Sequence, residues 1–261
     1  MRAVGVHPDV IVVTSRIWQT TATAIRAGGE AMLIDSPYFP DELELLPTLL
    51  RQAEFEPAGL LTTHADWDHV LGRLAFPGLA LGCGQPTAER MRAEPGAAQR
   101  ELRAADAEHY VVRPAPLSLG AWQSLPVPGF VELGDQEIEM HVADGHTADG
   151  TAYFARWAGV LVPGDYLSDF ELPLIAPGGS LAAYKGTLAR LAPLVEAATV
   201  VVPGHGSPHP RDTALRILDE DLAYLDALER GDQGASLPKG RDSPRQREIH
   251  RDNLKRAGAT P

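Results

Sequence analysis

A chain of 261 residues with 44% hydrophobic and 22% charged side chains has the make-up of a soluble globular protein, long enough to bury a substantial core in one large domain or two small ones. Its 35 acidic against 23 basic residues give a formal net charge of −12, which repels phosphate backbones and acidic membrane surfaces, so a small molecule is the expected partner and neither nucleic acid nor membrane is; oligomeric state stays open. One cysteine, Cys83, excludes an intrachain disulfide. Val10–Val13 is too short for a secretory apolar core, and no run of 18 apolar residues exists, so a soluble cytoplasmic protein is expected.

Val10–Thr14, Thr23–Arg26 and Ala31–Asp35 read as strands, the last two joined at a Gly28-Gly29 turn. Residues 41–54 carry Leu43, Leu46, Leu49 and Leu50 at helical spacing. Leu60–Thr63 is a short apolar strand running into His64, and a helix starts after His69. Residues 85–108 read as helical with a break at Pro95-Gly96, and 113–129, with its prolines, as a loop or edge segment. Phe130–Leu133, Glu137–Val142, Thr151–Trp157 and Val160–Val162 form a second set of strands. Ser180–Glu196 reads as a helix, Thr199–Val202 as a buried strand and Pro210–Leu228 as a helix. Composition then shifts to Gly, Asp, Ser, Pro and Lys over 229–245, a linker or loop, before a basic helix over 245–256. Strands and helices mixed in both halves give an α/β or α+β class. The expected organisation is one domain over 1–228, with 229–261 as a linker and C-terminal helix packing on it.

Four potential metal ligands stand within six residues at His64, Asp66, Asp68 and His69, after a strand and before a helix. A solvated polar turn explains any one of them but not four at this spacing. Mixed imidazole and carboxylate suits zinc, iron or manganese. Three later spots each place a His or Asp beside glycine at a strand's end: Gly145-His146, Gly164-Asp165 and Pro203-Gly204-His205-Gly206. Glycine there permits tight turns and close backbone approach, and strand ends in layered folds converge on one edge.

In this order, the motifs resemble those of the metallo-β-lactamase superfamily: His-x-His-x-Asp-His, Gly-His, Gly-Asp and Pro-Gly-His-Gly. The resemblance covers about residues 10–228 and implies a four-layer αββα sandwich with a dinuclear centre at one edge. It implies that His64, Asp66 and His146 hold a first metal, that Asp68, His69 and His205 hold a second, and that Asp165 bridges both. Two divalent ions, zinc above iron or manganese, are the cofactors it implies. Asp66 departs from the pattern, standing where most members carry His; flavodiiron proteins of the superfamily carry Glu there and hold iron. Trp67 is similar to the Trp of the glyoxalase II branch and is expected to pack beneath the metals.

The resemblance implies a hydrolase in which a hydroxide shared by two cations attacks a small ester, thioester, lactone or lactam. An iron-dependent redox enzyme and a small phosphodiesterase are the alternatives. Asp68 is both a ligand and a candidate catalytic proton acceptor. Tyr166 is a candidate oxyanion donor or else a packed aromatic. Lys185, Arg241 and His250 are candidate contacts to an anionic substrate or else simply solvated. Cys83 reads as a small core residue, and His7, His109, His141 and His209 as surface or core histidines.

Overall fold

The computed structural model describes residues 1–232, 234 and 236–258. Seven strands cross the first sheet in chain order: β1 (Arg2–His7), β2 (Val10–Thr14), β3 (Thr21–Ala27), β4 (Glu30–Asp35), β5 (Pro57–Thr62), β6 (Ala80–Gly84) and β7 (Trp122–Leu125). Tight connections make β1 to β4 antiparallel, whereas β4 to β7 run parallel. A parallel step needs a crossover. These are supplied by α1 (Pro40–Gln52), by the motif loop with the one-turn α2 (Gly72–Ala75), and by α3 (Gln85–Ala93) with α4 (Ala97–Glu108).

The second sheet runs β13 (His209–Pro210), β12 (Val200–Val201), β11 (Val160–Val162), β10 (Thr151–Ala155), β9 (Gln136–Val142), β8 (Gly129–Leu133). Its one parallel step, β11 to β12, spans α5 (Leu181–Ala197). Helices α6 (Arg211–Glu229) and α7 (Pro244–Gly258) complete the chain.

Alternation along the strands builds three apolar layers, because successive side chains point to opposite faces. In β10, Tyr153 and Ala155 enter the layer between the sheets, while Ala152 and Phe154 meet α5 and α6. In β5, Leu61 faces the other sheet and Leu60 faces the helices of its own side. Leu43, Leu46 and Leu50 of α1 are fully or nearly fully buried in that same outer layer, each contributing about 1.5–3 kcal/mol of burial. The order helix, sheet, sheet, helix is the αββα sandwich expected from the motifs.

Three strands, β1, β6 and β13, were not expected, whereas β7 falls in the segment read as a loop or edge. β1 is largely exposed and β13 is two residues long, so neither shows an apolar alternation. β6 is interrupted by Gly82 and Gly84; a Cβ at Gly82 would stand 3.0 Å from Leu61, which is why the strand is small there. β7 is the edge strand of the proline-rich 113–129 segment. The strand expected over Thr151–Trp157 ends at Ala155 in a 3-10 turn. Of the expected 229–245 linker, residues 233 and 235 lie outside the described residues, as do 259–261 beyond α7. α7 buries Gln246, Ile249 and Asn253. Gln246 and Asn253 accept the backbone N–H groups of Leu172 and Ile175, pinning that segment. Among the described residues, no helix is long and apolar enough to cross a membrane.

Candidate metal centre

The centre lies where the C-terminal ends of strands from both sheets meet. Asp35, at the end of β4 with a left-handed φ of 57°, organises the motif loop. Its Oδ1 accepts the Thr63 backbone N–H and its Oδ2 accepts the Thr63 hydroxyl, each at 2.8 Å. The same Oδ2 accepts Nδ1–H of His69 at 2.9 Å. Thr63 Oγ, its proton committed to Asp35, is left to accept from Nδ1 of His64 at 3.0 Å.

From the second sheet come His146, Asp165 and His205. His146 donates Nδ1–H to the Leu174 carbonyl at 2.8 Å, and His205 donates to the Trp18 carbonyl at 3.2 Å. Every Nδ1 is thus engaged, and each Nε2 points at a common centre. Gly204 permits the approach: a Cβ there would strike the Asp165 carboxylate. Gly145, at φ 120°, lies against the Tyr184 backbone for the same reason.

The sequence-derived ligand atoms assemble into three groups, within each of which they lie at most 4.8 Å apart: His64, Asp66 and His146; Asp68, His69 and His205; and His64, His69 and Asp165. Asp66 Oδ2 lies 3.6 Å from His64 Nε2 and 3.7 Å from His146 Nε2. Asp68 Oδ2 lies 3.3 Å from His205 Nε2. Asp165 stands between the groups, Oδ1 at 3.2 Å from His69 and Oδ2 at 3.3 Å from His146 and 3.4 Å from His205. Two ligands on one zinc ion at about 2.1 Å and a tetrahedral angle stand about 3.4 Å apart. Nε2 of His64, His69 and His146 and Oδ1 of Asp165 are buried without any hydrogen-bond partner. Buried polar atoms are rarely left so, and these are the atoms a cation would satisfy. The residues fit a divalent metal.

Charge separation holds the cluster together when no cation does. Burial opposes it, yet His205, His69, His64 and His146 keep Asp165 ionised well below the usual carboxylate range. Against the same burial, Asp165 and neighbouring carboxylates hold His69 and His205 well above the usual imidazole range, and Asp165 with Asp66 raises His146 to about 9. These imidazoles therefore carry protons at pH 7 that a cation must displace. Zinc titrated into metal-free protein should release protons at pH 7, and its apparent affinity should rise with pH through about 9, where His146 loses its proton unaided. Calorimetry in two buffers of different ionisation enthalpy measures the release; a pH-independent affinity would refute it.

A family model described as the metallo-beta-lactamase superfamily matches residues 16–205. The chain belongs to the metallo-β-lactamase superfamily. Among solved structures, it is similar to a metallo-beta-lactamase family protein, TTHA1429, from Thermus thermophilus, at 20% identity and TM-score 0.69 over 98% of this chain and 96% of that one. A metallo-beta-lactamase from Pontibacter korlensis matches at 19% identity and TM-score 0.62, over 84% of this chain and 97% of that one. TTHA1623 in a di-iron-bound form matches at 22% identity and TM-score 0.60, over 79% and 97%. At such identities these likenesses concern the fold. A search of curated proteins found no significant match. Superfamily membership and the clustered His and Asp groups support a metal-dependent hydrolase-type function.

For this superfamily member the expectation of a catalytic Tyr166 needs correction. Its hydroxyl donates to the Asp144 and Ala143 carbonyls at 2.7 and 3.1 Å and accepts the His146 N–H at 2.8 Å, so no proton is left for an oxyanion. Tyr166 clamps the His146 loop instead. The three candidate anionic-substrate contacts each have a partner within the chain. Lys185 pairs with Asp226 and Glu229, His250 accepts or donates at Tyr224, and Arg241 is buried on Asp221. Trp67 packs edge-on against Trp18 and Tyr38, as a packing residue should. Cys83 is fully buried, and burial pushes its thiol up to about 12. His7, His141 and His209 bond to Asp9, Glu139 and Ser207, and His109 meets Trp18 edge-on.

Sequence reasoning missed Asp35, Asp149 and Arg90. Asp149 accepts the Ala65 N–H at 2.8 Å, and Arg90 bonds both Asp66 and Asp149. Asp35 ends a strand like the other site residues, a signal that was available. Arg90 sits mid-helix with none. Asp35→Asn should lower zinc affinity about 10–100-fold through the loosened His69, measured by chelator competition; unchanged affinity would remove Asp35 from the centre.

Proposed function

We propose that this chain hydrolyses a small ester, thioester, lactone or lactam with two divalent cations, zinc first among them. The observation that carries the reading is the set of buried, unpartnered Nε2 atoms converging on Asp165. Cations held by the seven residues would supply Lewis-acid polarisation of a carbonyl and a water acidic enough to attack near neutral pH.

The chain's own residues would do the rest. The Asp68 carboxylate, beside His205 and buried, is placed to take the proton of the attacking water. Asp35, the Trp18 carbonyl and the Leu174 carbonyl hold imidazoles in their donor orientation. A cleft of about 210 Å³ opens beside Ala65 and Arg90, walled by Glu94, Glu101, Leu119 and Trp122. Burial, and then Asp66, pushes Glu101 upward; burial likewise raises Glu171 near His205. Carboxylates on both sides of the centre disfavour a polyanion, which counts against a phosphodiester.

Metal-stripped protein refilled with zinc or manganese should turn over p-nitrophenyl esters, thioesters or lactones, and a screen with no turnover under any metal would end the proposal. A second reading, an iron redox enzyme, draws on Asp66, since an added carboxylate hardens the donor set, and on the likeness to a di-iron-bound relative. Metal analysis of freshly purified protein separates the two, because zinc without iron excludes the second.

A further inference from the structure

We propose that Arg90 is the positioning residue that lets Asp66 serve as a single-oxygen metal ligand in place of the usual imidazole. The carboxylate is divided between two tasks. Its Oδ1 lies 2.7 Å from Arg90 Nη1, whereas Oδ2 alone faces His64 and His146. The guanidinium is itself fixed. The same Nη1 donates to Asp149 Oδ1 at 2.8 Å, and Nε lies 3.5 Å from Glu94. Asp149 is buried and is held in turn by the Ala65 N–H on Oδ2 and the Thr87 hydroxyl on its carbonyl. Thr87 and Ala88 seat α3 in the core, so the guanidinium stands on a rigid element.

Two consequences follow from this geometry. An unrestrained carboxylate can turn to present both oxygens to a cation; with Oδ1 taken, Asp66 offers one donor atom, as an imidazole does. A carboxylate also brings a negative charge that a neutral imidazole lacks, and Arg90, always protonated, returns the positive charge locally. The pair therefore reproduces the donor count of the residue it stands in for, and the guanidinium, shared with Asp149, offsets part of the added charge. Remove the guanidinium, and Asp66 is left beside the buried Asp149 with like charges and no tether.

The inference rests on the metal-centre reading but on no substrate, so metal binding alone tests it. Zinc affinity by chelator competition and the visible bands of the cobalt(II)-loaded protein are measured for wild type, Arg90→Met, Asp66→His and the double variant. Arg90→Met should lose about tenfold or more in affinity of the weaker-held cation. Its cobalt bands should also weaken by roughly twofold as the freed carboxylate adds a second oxygen and raises the coordination number. In the Asp66→His background Arg90 has no ligand carboxylate left to orient and holds only Asp149, so adding Arg90→Met should cost clearly less affinity than it does beside Asp66. An equal loss in both backgrounds, or an unchanged affinity and spectrum in Arg90→Met with only a lower melting temperature, would reduce Arg90 to a tie between α3 and the loop. Should Asp66→His fail to fold, the affinity and spectrum of Arg90→Met decide alone. A wild-type protein that binds no metal overturns both this inference and the metal-centre reading, whereas metal binding without hydrolysis overturns only the proposed activity.

Discussion

Replacing Asp165 by alanine is expected to empty the centre and to lower hydrolysis by at least about 10³-fold. Among the described residues, its carboxylate alone pairs with all four imidazoles, at 3.2–3.8 Å from Nε2 of His64, His69, His146 and His205. The groups His64, Asp66, His146 and Asp68, His69, His205 would each still offer three ligands, but the carboxylate between them would be gone. The metal-free protein changes as well. Without the carboxylate that most raises His69, His146 and His205, those rings become easier to deprotonate, so fewer protons are released per cation bound. Zinc stoichiometry by elemental analysis, together with the proton count, checks both effects. Full zinc loading in Asp165→Ala would show that the two groups do not share a ligand.

The second large effect concerns stability. Arg241 is 2% exposed, and its guanidinium reaches Asp221 at 2.5 Å, Glu220 at 3.1 Å and the Glu171 carbonyl at 3.1 Å. Arg241→Met leaves Asp221 buried without a counter-charge, a loss of about 3–5 kcal/mol, or about 10 °C in melting temperature for a chain of this size. Burial already pushes the Asp221 carboxyl up to about 7 against the pull of Arg241. A folded-state value above the unfolded one means the folded chain binds the extra proton, so stability falls as pH rises from about 4 to 7. Without Arg241 the carboxyl protonates still more readily, and the variant's deficit should therefore be smaller at pH 5 than at pH 8. Melting curves at the two pH values test this; an equal deficit at both would mean that Asp221 does not titrate.

Much of the architecture was legible because it is written in local pattern. Buried strands such as Val10–Thr14 and Val160–Val162 announce themselves by apolar runs, and α1 by its leucine spacing. The seven metal-ligand candidates were visible because four crowd into the six residues after β5, and the other three each stand beside glycine at a strand end. Strands whose pattern is diluted, such as glycine-interrupted β6 or exposed β1, were not. The supporting residues were hidden for a different reason. Arg90 is 24 residues from Asp66 on another element, and only the packing of α3 onto the loop brings them together. Tyr166 was misjudged because its position beside Asp165 in sequence says nothing of where its hydroxyl points.

The division of the ligands between the two sheets has a consequence for biosynthesis. The loop carrying His64 to His69 is made 136 residues before His205 (205 − 69), a gap of about 7–27 s at about 5–20 residues per second. Until that interval ends, the cluster of imidazoles and carboxylates is incomplete. Only when the second half arrives does the Pro203–Gly206 turn lock onto the β2–β3 loop through the Thr21 N–H and the Trp18 carbonyl. Support for His146 comes later still, since the segment bearing Leu174 is pinned by Asn253 of α7. The order of translation thus leaves the seven-residue cluster without its full support until nearly the whole chain has been made.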